Sequence, residues 1–211
     1  MPRGWFITFE GGEGTGKSTQ IEMLAGHLRE QGLSVVVTRE PGGTPVAEAV
    51  RAVLLDPSLE PDGLTELFLL EAARRDHVEH VIRPAVERGR VVLSDRFADS
   101  STVYQGMVRG VGVERVVELN CIATGGLDPD VTVVLDFDHE SGLQRARSRN
   151  AEGDGFETRL DDEPSAFHRR VREGFLRLAD SETERVSVVS AEGPPEDVFT
   201  RILAAIPEEL R

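Results

Sequence analysis

The chain has 211 residues, 39% hydrophobic and 29% charged, with 24 Lys and Arg against 38 Asp and Glu for a formal net charge of −14. That length suits a single domain spanning 1–211 with a real core, and no apolar run approaches the roughly 18 residues a membrane span needs. The acidic balance without a basic stripe argues against a nucleic-acid binder; the lone Cys121 excludes an internal disulfide or a cysteine-rich zinc cluster and fits a reducing cytoplasm.

In chain order, the opening "MPRGWFITFEGG" offers too short an apolar run for a signal peptide. Its residues 5–10 predict a strand. Gly11-x-x-x-x-Gly16-Lys17-Ser18 follows, and behind it Ile21, Leu24 and Leu28 recur at helical spacing up to Gly32, a C-cap glycine. Residues 33–38 predict a second strand, ending in "TREPGGT". Leu64 to Arg88 reads as one long helix with a bend expected at Pro84. A third strand over 90–95 runs into "SDRFADSSTVYQG", and a fourth covers 131–138. The stretch 145–159, "RARSRNAEGDGFETR", is arginine-rich, carries two glycines and lies between helical patterns. A helix over 162–179, a fifth strand over 185–190 and a helix over 196–206 complete the chain. Most of the strand runs are continuously apolar, as in strands covered on both faces. Strand–helix alternation of this kind predicts an α/β fold with a five-stranded parallel sheet and right-handed crossovers.

A glycine-rich loop between a strand and a helix is the context of the Walker A pattern. Its backbone N–H groups converge on phosphate oxygens, backed by the positive end of the helix that begins near Lys17. Lys17 is the only lysine among the 24 basic residues. A compact ammonium on a flexible stem fits inside such a cradle, where a planar guanidinium is better suited to bidentate work at the rim. Lys17 therefore reads as the group reaching the terminal phosphates, and Ser18 as a ligand of Mg²⁺. Glu13 beside a triphosphate is tolerable if it faces a sugar hydroxyl or a metal, or if it is simply a solvated loop residue.

Ligands of open parallel sheets lie at the carboxyl ends of the strands. Arg39 and Arg96, each at such an end, suit a bidentate grip on a phosphate. Arg51 and Arg74 occupy helical patterns that can lean over the same cleft. Asp95 ends an apolar strand, a Walker-B-like place for a carboxylate near Mg²⁺. The cradle's own variable positions, Gly12, Glu13, Gly14 and Thr15, include no arginine. Arg147, Arg149 and Arg159 in the 145–159 stretch are then the candidates for cations that meet developing charge, on a clamp that also excludes water.

The order of "FEGGEGTGKST", "TREPGGT", "DRFADSSTVYQG", "GLDPDVTVVLDFD", "GLQRARSR" and "FHRRVREGFLRLA" resembles bacterial-type thymidylate kinases from about Phe6 to Ile206. The resemblance implies the three-layer P-loop nucleoside-monophosphate-kinase fold with a mobile lid at about 145–160. It also implies a cytoplasmic homodimer making dTDP from dTMP with ATP and Mg²⁺. ATP would lie on Gly11, Gly12, Glu13, Gly14, Thr15, Gly16, Lys17, Ser18 and Thr19, with Glu13 approaching the sugar 3′-hydroxyl. Arg96 would hold the dTMP phosphate, and Asp95 would stand near the metal and the transferred group. Arg39 and Arg51 would form the monophosphate side of the cleft. Arg74, Ser101 and Gln105 would meet the thymine edge, and Tyr104 would pack under the deoxyribose, where a 2′-hydroxyl collides. The catalytic arginine would come from the lid. One position departs from the family: Leu70 stands where a phenylalanine usually stacks on thymine, and Phe68 points to another side of its helix. A lost stacking contact is worth about 0.5–1.5 kcal/mol, which weakens dTMP binding without changing the chemistry.

Three other readings fit less well. A deoxynucleoside kinase shares the general fold, but it needs a base at a 5′-hydroxyl and not several arginines for an existing phosphate. A GTPase needs Asn-Lys-x-Asp, which is impossible when the one lysine is in the cradle. A non-catalytic ATP-binding module needs neither a second arginine-lined pocket nor a lid.

Overall fold

The structure is a computed structural model that describes residues 3–151, 160 and 162–211, with the side chains of 149–151 excepted. Five parallel strands form one sheet in the order β2-β3-β1-β4-β5. They span Phe6–Glu10 (β1), Val35–Arg39 (β2), Val91–Asp95 (β3), Val131–Asp136 (β4) and Val186–Ser190 (β5). The three inner strands are buried almost throughout, whereas β2 and β5 at the edges are only partly covered. Continuous apolar runs at the centre are what a sheet with helices on both faces requires.

Alternation within those strands sorts the core into layers. Ile7, Phe9, Leu93, Val133 and Leu135 point to one face, against Ile21, Leu24 and Leu28 of α1 (Lys17–Glu30) and Val198 and Ile202 of α9 (Pro195–Ala205). Phe6 and Val92 point to the other, against Val78, Ile82 and Val86. Val134 joins a separate cluster with Val103, Val171 and Phe175 on that side. The three-layer architecture expected from the sequence is the one observed.

The boundaries differ in instructive ways. Helix α1 ends in the bonds Gly32 N to Arg29 O at 2.9 Å and Leu33 N to Leu28 O at 3.1 Å, so Leu33 belongs to the cap and β2 starts at Val35, not at 33. The long 64–88 helix is observed as α3 (Gly63–His77), a π-helical turn over Val78–Ile82, and α4 (Arg83–Glu87). Pro84 has no N–H for the carbonyl four residues back and its ring crowds that turn, so the irregularity lies before the proline. The helical pattern carrying Arg51 is α2 (Pro45–Leu55), the one before 145 is the start of α7 (His139–Ala151), and α6 (Val113–Thr124) is a helix not expected from the sequence. Thr44 caps α2 by accepting from Ala47 N, with Pro45 at its first position. Helix α7 is polar almost throughout and offers no apolar stripe to read. It carries helix through 145–151 of the expected lid; residues 152–159 and 161 lie outside the described residues. A short helix α5 (Ala98–Ser101) leads into a π-helical segment Thr102–Val108, and α8 (Ser165–Ser181) precedes β5.

Candidate active site

The loop from Gly11 to Ser18 leaves the C-terminal end of β1, the central strand, and enters α1 through Gly16 at φ 89°. Gly14 sits at φ 65°, and a Cβ there would run into the carbonyl of Gly142 at the start of α7. Only glycine satisfies both demands. Lys17 is buried, and its Nζ donates to Gly12 O at 2.9 Å and Gly11 O at 3.4 Å. Burial and the nearby Arg96 push its ammonium below the ordinary lysine value, against the pull of Asp95, Glu13 and Glu10. Ser18 stands at the exposed start of α1 and its hydroxyl donates to Asp95 Oδ2 at 3.0 Å.

Arg96 follows directly on β3. It takes φ 69°, the one positive φ outside glycine among the described residues. A non-glycine residue held there is strained by roughly 1–3 kcal/mol, and such strain persists where surroundings over-determine it. Here Arg96 N donates to Phe9 O at 2.9 Å. Its Nη1 donates to Gly11 O at 3.0 Å and Ser100 Oγ at 3.1 Å, and its Nη2 reaches both carboxylate oxygens of Glu13 at 3.0 and 3.1 Å. Tyr104 donates its hydroxyl to Glu13 Oε1 at 2.9 Å, and its ring lies under the guanidinium, 5.2 Å from Arg96 Cζ. Burial alone would raise the Glu13 carboxyl; Arg96, Lys17 and the tyrosine hydroxyl bring it down to about 2. Glu13 is therefore an anion throughout the physiological range. It faces an arginine and a tyrosine of the adjoining cleft, not solvent.

That cleft encloses about 150 Å³. Glu13, Arg51, Leu70, Arg74, Arg96, Ser101, Tyr104 and Gln105 all line it, so the structure brings together every expected acceptor-side residue but one. The exception is Arg39. It pairs with Glu48 at 2.9 Å and lines the neighbouring hollow with Ser18 and Asp95. Arg51 lines the cleft while donating to Pro41 O at 2.9 Å. Leu70 faces the cleft and Phe68, 56% exposed, points away from it, as the helical offset requires. Arg147 lies on α7 with an exposed residue surface, Arg149 on the same helix has no described side chain, and Arg159 is outside the described residues.

Arg74 is fully buried. It donates to Glu40 at 2.9 Å, Glu71 at 2.6 Å, Asn120 at 2.7 Å, Ser101 at 2.9 Å and Phe97 O at 3.3 Å. Five acceptors match its five donors, so a cation that would be costly in isolation is paired and rigid. Sequence reasoning missed this seat, although Glu40 stands inside "TREPGGT". It also missed Glu10, fully buried at the end of β1. Glu10 accepts from Phe97 N at 2.8 Å, Ser100 N at 3.2 Å and Ser100 Oγ at 2.6 Å, and so fixes the turn that carries Arg96.

Burial and the neighbouring Asp99 raise the Glu10 carboxyl from the ordinary 4.5 to about 7. The folded chain keeps that proton where an unfolded chain releases it, so stability falls as pH rises from about 4.5 to about 7, by on the order of 3 kcal/mol. A Glu10→Gln variant can accept both N–H groups and cannot ionise. Its urea-unfolding free energy is expected to lack that fall between pH 5 and 7.5; a slope equal to that of the unsubstituted chain contradicts this.

A model of the thymidylate kinase family matches residues 9–202. The thymidylate kinase of Deinococcus radiodurans is 48% identical over 99% of this chain and 98% of its own, and that of Geobacillus thermodenitrificans is 49% identical over 96% and 89%. The crystal structure of thymidylate kinase from Ehrlichia chaffeensis superposes with a TM-score of 0.78 at 32% identity, covering 96% of this chain and 98% of that one. This chain belongs to the thymidylate kinase family. It is therefore a nucleoside monophosphate kinase of the P-loop type, as the resemblance of its motifs implied. Within the thymidylate kinase frame, the described site consists of a phosphate loop and an arginine-lined cleft joined at Glu13, which belongs to the loop and lines the cleft, and at Arg96, which lines the cleft and bonds the loop at Gly11 O and Glu13.

Proposed function

We propose that this chain transfers the terminal phosphoryl group of ATP, seated on Gly11–Thr19, to the phosphate of dTMP held in the adjoining cleft. ATP-dependent phosphorylation of dTMP to dTDP is the reaction of the family, and of this chain. The observation that carries the assignment of pockets is the shared wall: Arg96 bonds the loop through Gly11 O and Glu13 while lining the cleft. Two anionic substrates brought to one arginine need little more than positioning and charge stabilisation to react.

In this reading Lys17 contacts the terminal phosphates of ATP and Arg96 grips the dTMP phosphate, with Arg51 on the same side and Arg39 at the rim. Glu13 receives the sugar 3′-hydroxyl. Tyr104 packs under the deoxyribose, Leu70 covers the base by apolar contact, and Arg74, Ser101 and Gln105 meet its polar edge, Arg74 by turning to the base the Nη2 donor that otherwise makes its longest bond, to Phe97 O at 3.3 Å. Arg147, Arg149 and Arg159 are the cations for the transferred group. Ser18 and Asp95 fit Mg²⁺: two hard oxygens 3.0 Å apart at the mouth of the loop suit an ion that keeps most of its shell as water and phosphate oxygen. Once bound, the ion supplies charge neutralisation between the phosphates.

No helix among the described residues is long and apolar enough to cross a membrane, and the cytoplasm is the proposed location. A homodimer is proposed from one apolar face. Val46 and Val53 on α2, Phe68 on α3 and Val117 and Ile122 on α6 are 43–66% exposed, α3 packs against both other helices, and large apolar side chains left exposed on neighbouring helices mark an interface. Light scattering is expected to give twice the chain mass, with Phe68→Asp and Ile122→Asp together giving a monomer.

Assaying thymidine and the common nucleoside and deoxynucleoside monophosphates with ATP and Mg²⁺ tests the reaction. The highest kcat/KM is expected with dTMP. Faster phosphorylation of thymidine than of dTMP would overturn the assignment.

A further inference from the structure

Gln105 is 95% buried and lines the cleft, yet its Oε1 has no hydrogen-bond partner among the described residues. Its Nε2 is committed, donating to Glu66 Oε2 at 3.0 Å. Glu66 lies on α3, 99% buried, and its other oxygen accepts from Arg109 Nη2 at 3.3 Å. Arg109 is held in turn by Glu163 at 2.6 Å and stacks over Phe167 at 4.9 Å. Each carboxylate oxygen of Glu66 thus faces a donor.

A primary amide can turn over and exchange its donor and acceptor, and nothing in Gln105 itself selects one orientation. A carboxylate beside it does, because a carboxylate only accepts. We infer that Glu66 is a positioning residue for base specificity, holding the Gln105 amide so that Oε1 is the atom offered to the base. The inference rests on the cleft being the dTMP site and deepens that reading.

The chemistry follows from the pyrimidine edge. Thymine and uracil carry N3–H, which donates to Oε1. Cytosine has a bare N3 lone pair at that position, which would face the Oε1 lone pairs and leave both buried acceptors unpaired. A site built to receive a hydrogen bond rejects a base lacking the donor far more strongly than it discriminates a methyl group. The lock therefore sorts deoxypyrimidine monophosphates by N3 and is blind to the 5-methyl that separates dTMP from dUMP.

Glu66→Gln tests it with dTMP, dUMP and dCMP, the last as substrate and as competitor against dTMP. The neutral amide can donate or accept, so Gln105 is free to turn. The dTMP KM is expected to rise about tenfold with the ATP KM unchanged, and the preference for dTMP over dCMP to fall about tenfold or more. The preference for dTMP over dUMP should stay within about twofold, because both bases present the same edge. Glu66→Asp keeps an obligate acceptor and should retain the preference over dCMP even at lower kcat/KM. An unchanged dTMP-to-dCMP ratio in Glu66→Gln, or an equal relaxation in Glu66→Asp, would overturn the inference. An unsubstituted enzyme inactive on dTMP would overturn the reading beneath it instead.

Discussion

Lys17→Ala is expected to keep the fold and lower kcat by about 100-fold or more, since an ammonium placed against developing phosphoryl charge is worth on the order of 3 kcal/mol. The fold should survive because, among the described residues, the Lys17 side chain donates only to the carbonyls of its own loop. The glycine conformations and the cap of α1 do not depend on it. Arginine is a poor substitute: its fork is too large for a space bounded by Gly11 and Gly12, so Lys17→Arg should recover little. Steady-state kinetics with circular dichroism on the same samples check both statements. Turnover near that of the unsubstituted enzyme would remove the loop from the mechanism.

Arg96→Ala is expected to act on the other substrate. Its guanidinium lines the cleft and holds Glu13 there, so its loss should raise the dTMP KM or lower kcat, with a combined fall in kcat/KM of about 100-fold. ATP affinity should change little, because Lys17 and the loop N–H groups remain. The variant also leaves a largely buried Glu13 carboxylate to Tyr104, Lys17 and His168, and alanine gains nothing at φ 69°. Some loss of stability therefore accompanies the kinetic effect. Isothermal titration with each nucleotide separates the two substrates; loss of ATP binding with dTMP binding retained would mean the two pockets are reversed.

What the sequence made legible was local. The phosphate loop announces itself because glycine spacing, strand and helix sit within a dozen residues, and Asp95 and Arg96 because they end an apolar strand. The continuous runs at β1, β3 and β4 gave the parallel sheet through burial on both faces. What it hid was long-range pairing. Glu10 and Glu66 look like any strand-end or helix carboxylate, and only the fold brings them to Ser100 and Gln105, 90 and 39 positions away. The resemblance gives Arg39 and Arg51 one role, yet Glu48 ties Arg39 beside the neighbouring hollow. The polar helix α7 lacks the periodicity that would have separated it from a loop. Leu70 and Phe68 were separable in advance, since two positions on a helix differ by about 200°.

In the proposed reaction the donor and acceptor phosphates meet across the wall that Glu13 and Arg96 form. A bisubstrate ligand, adenosine and thymidine joined 5′ to 5′ through five phosphates, measures this most directly. Inhibition competitive against both ATP and dTMP, with affinity at least about 100-fold above either substrate alone, is the predicted result. Inhibition competitive against only one of them, at the affinity of that half alone, would contradict it.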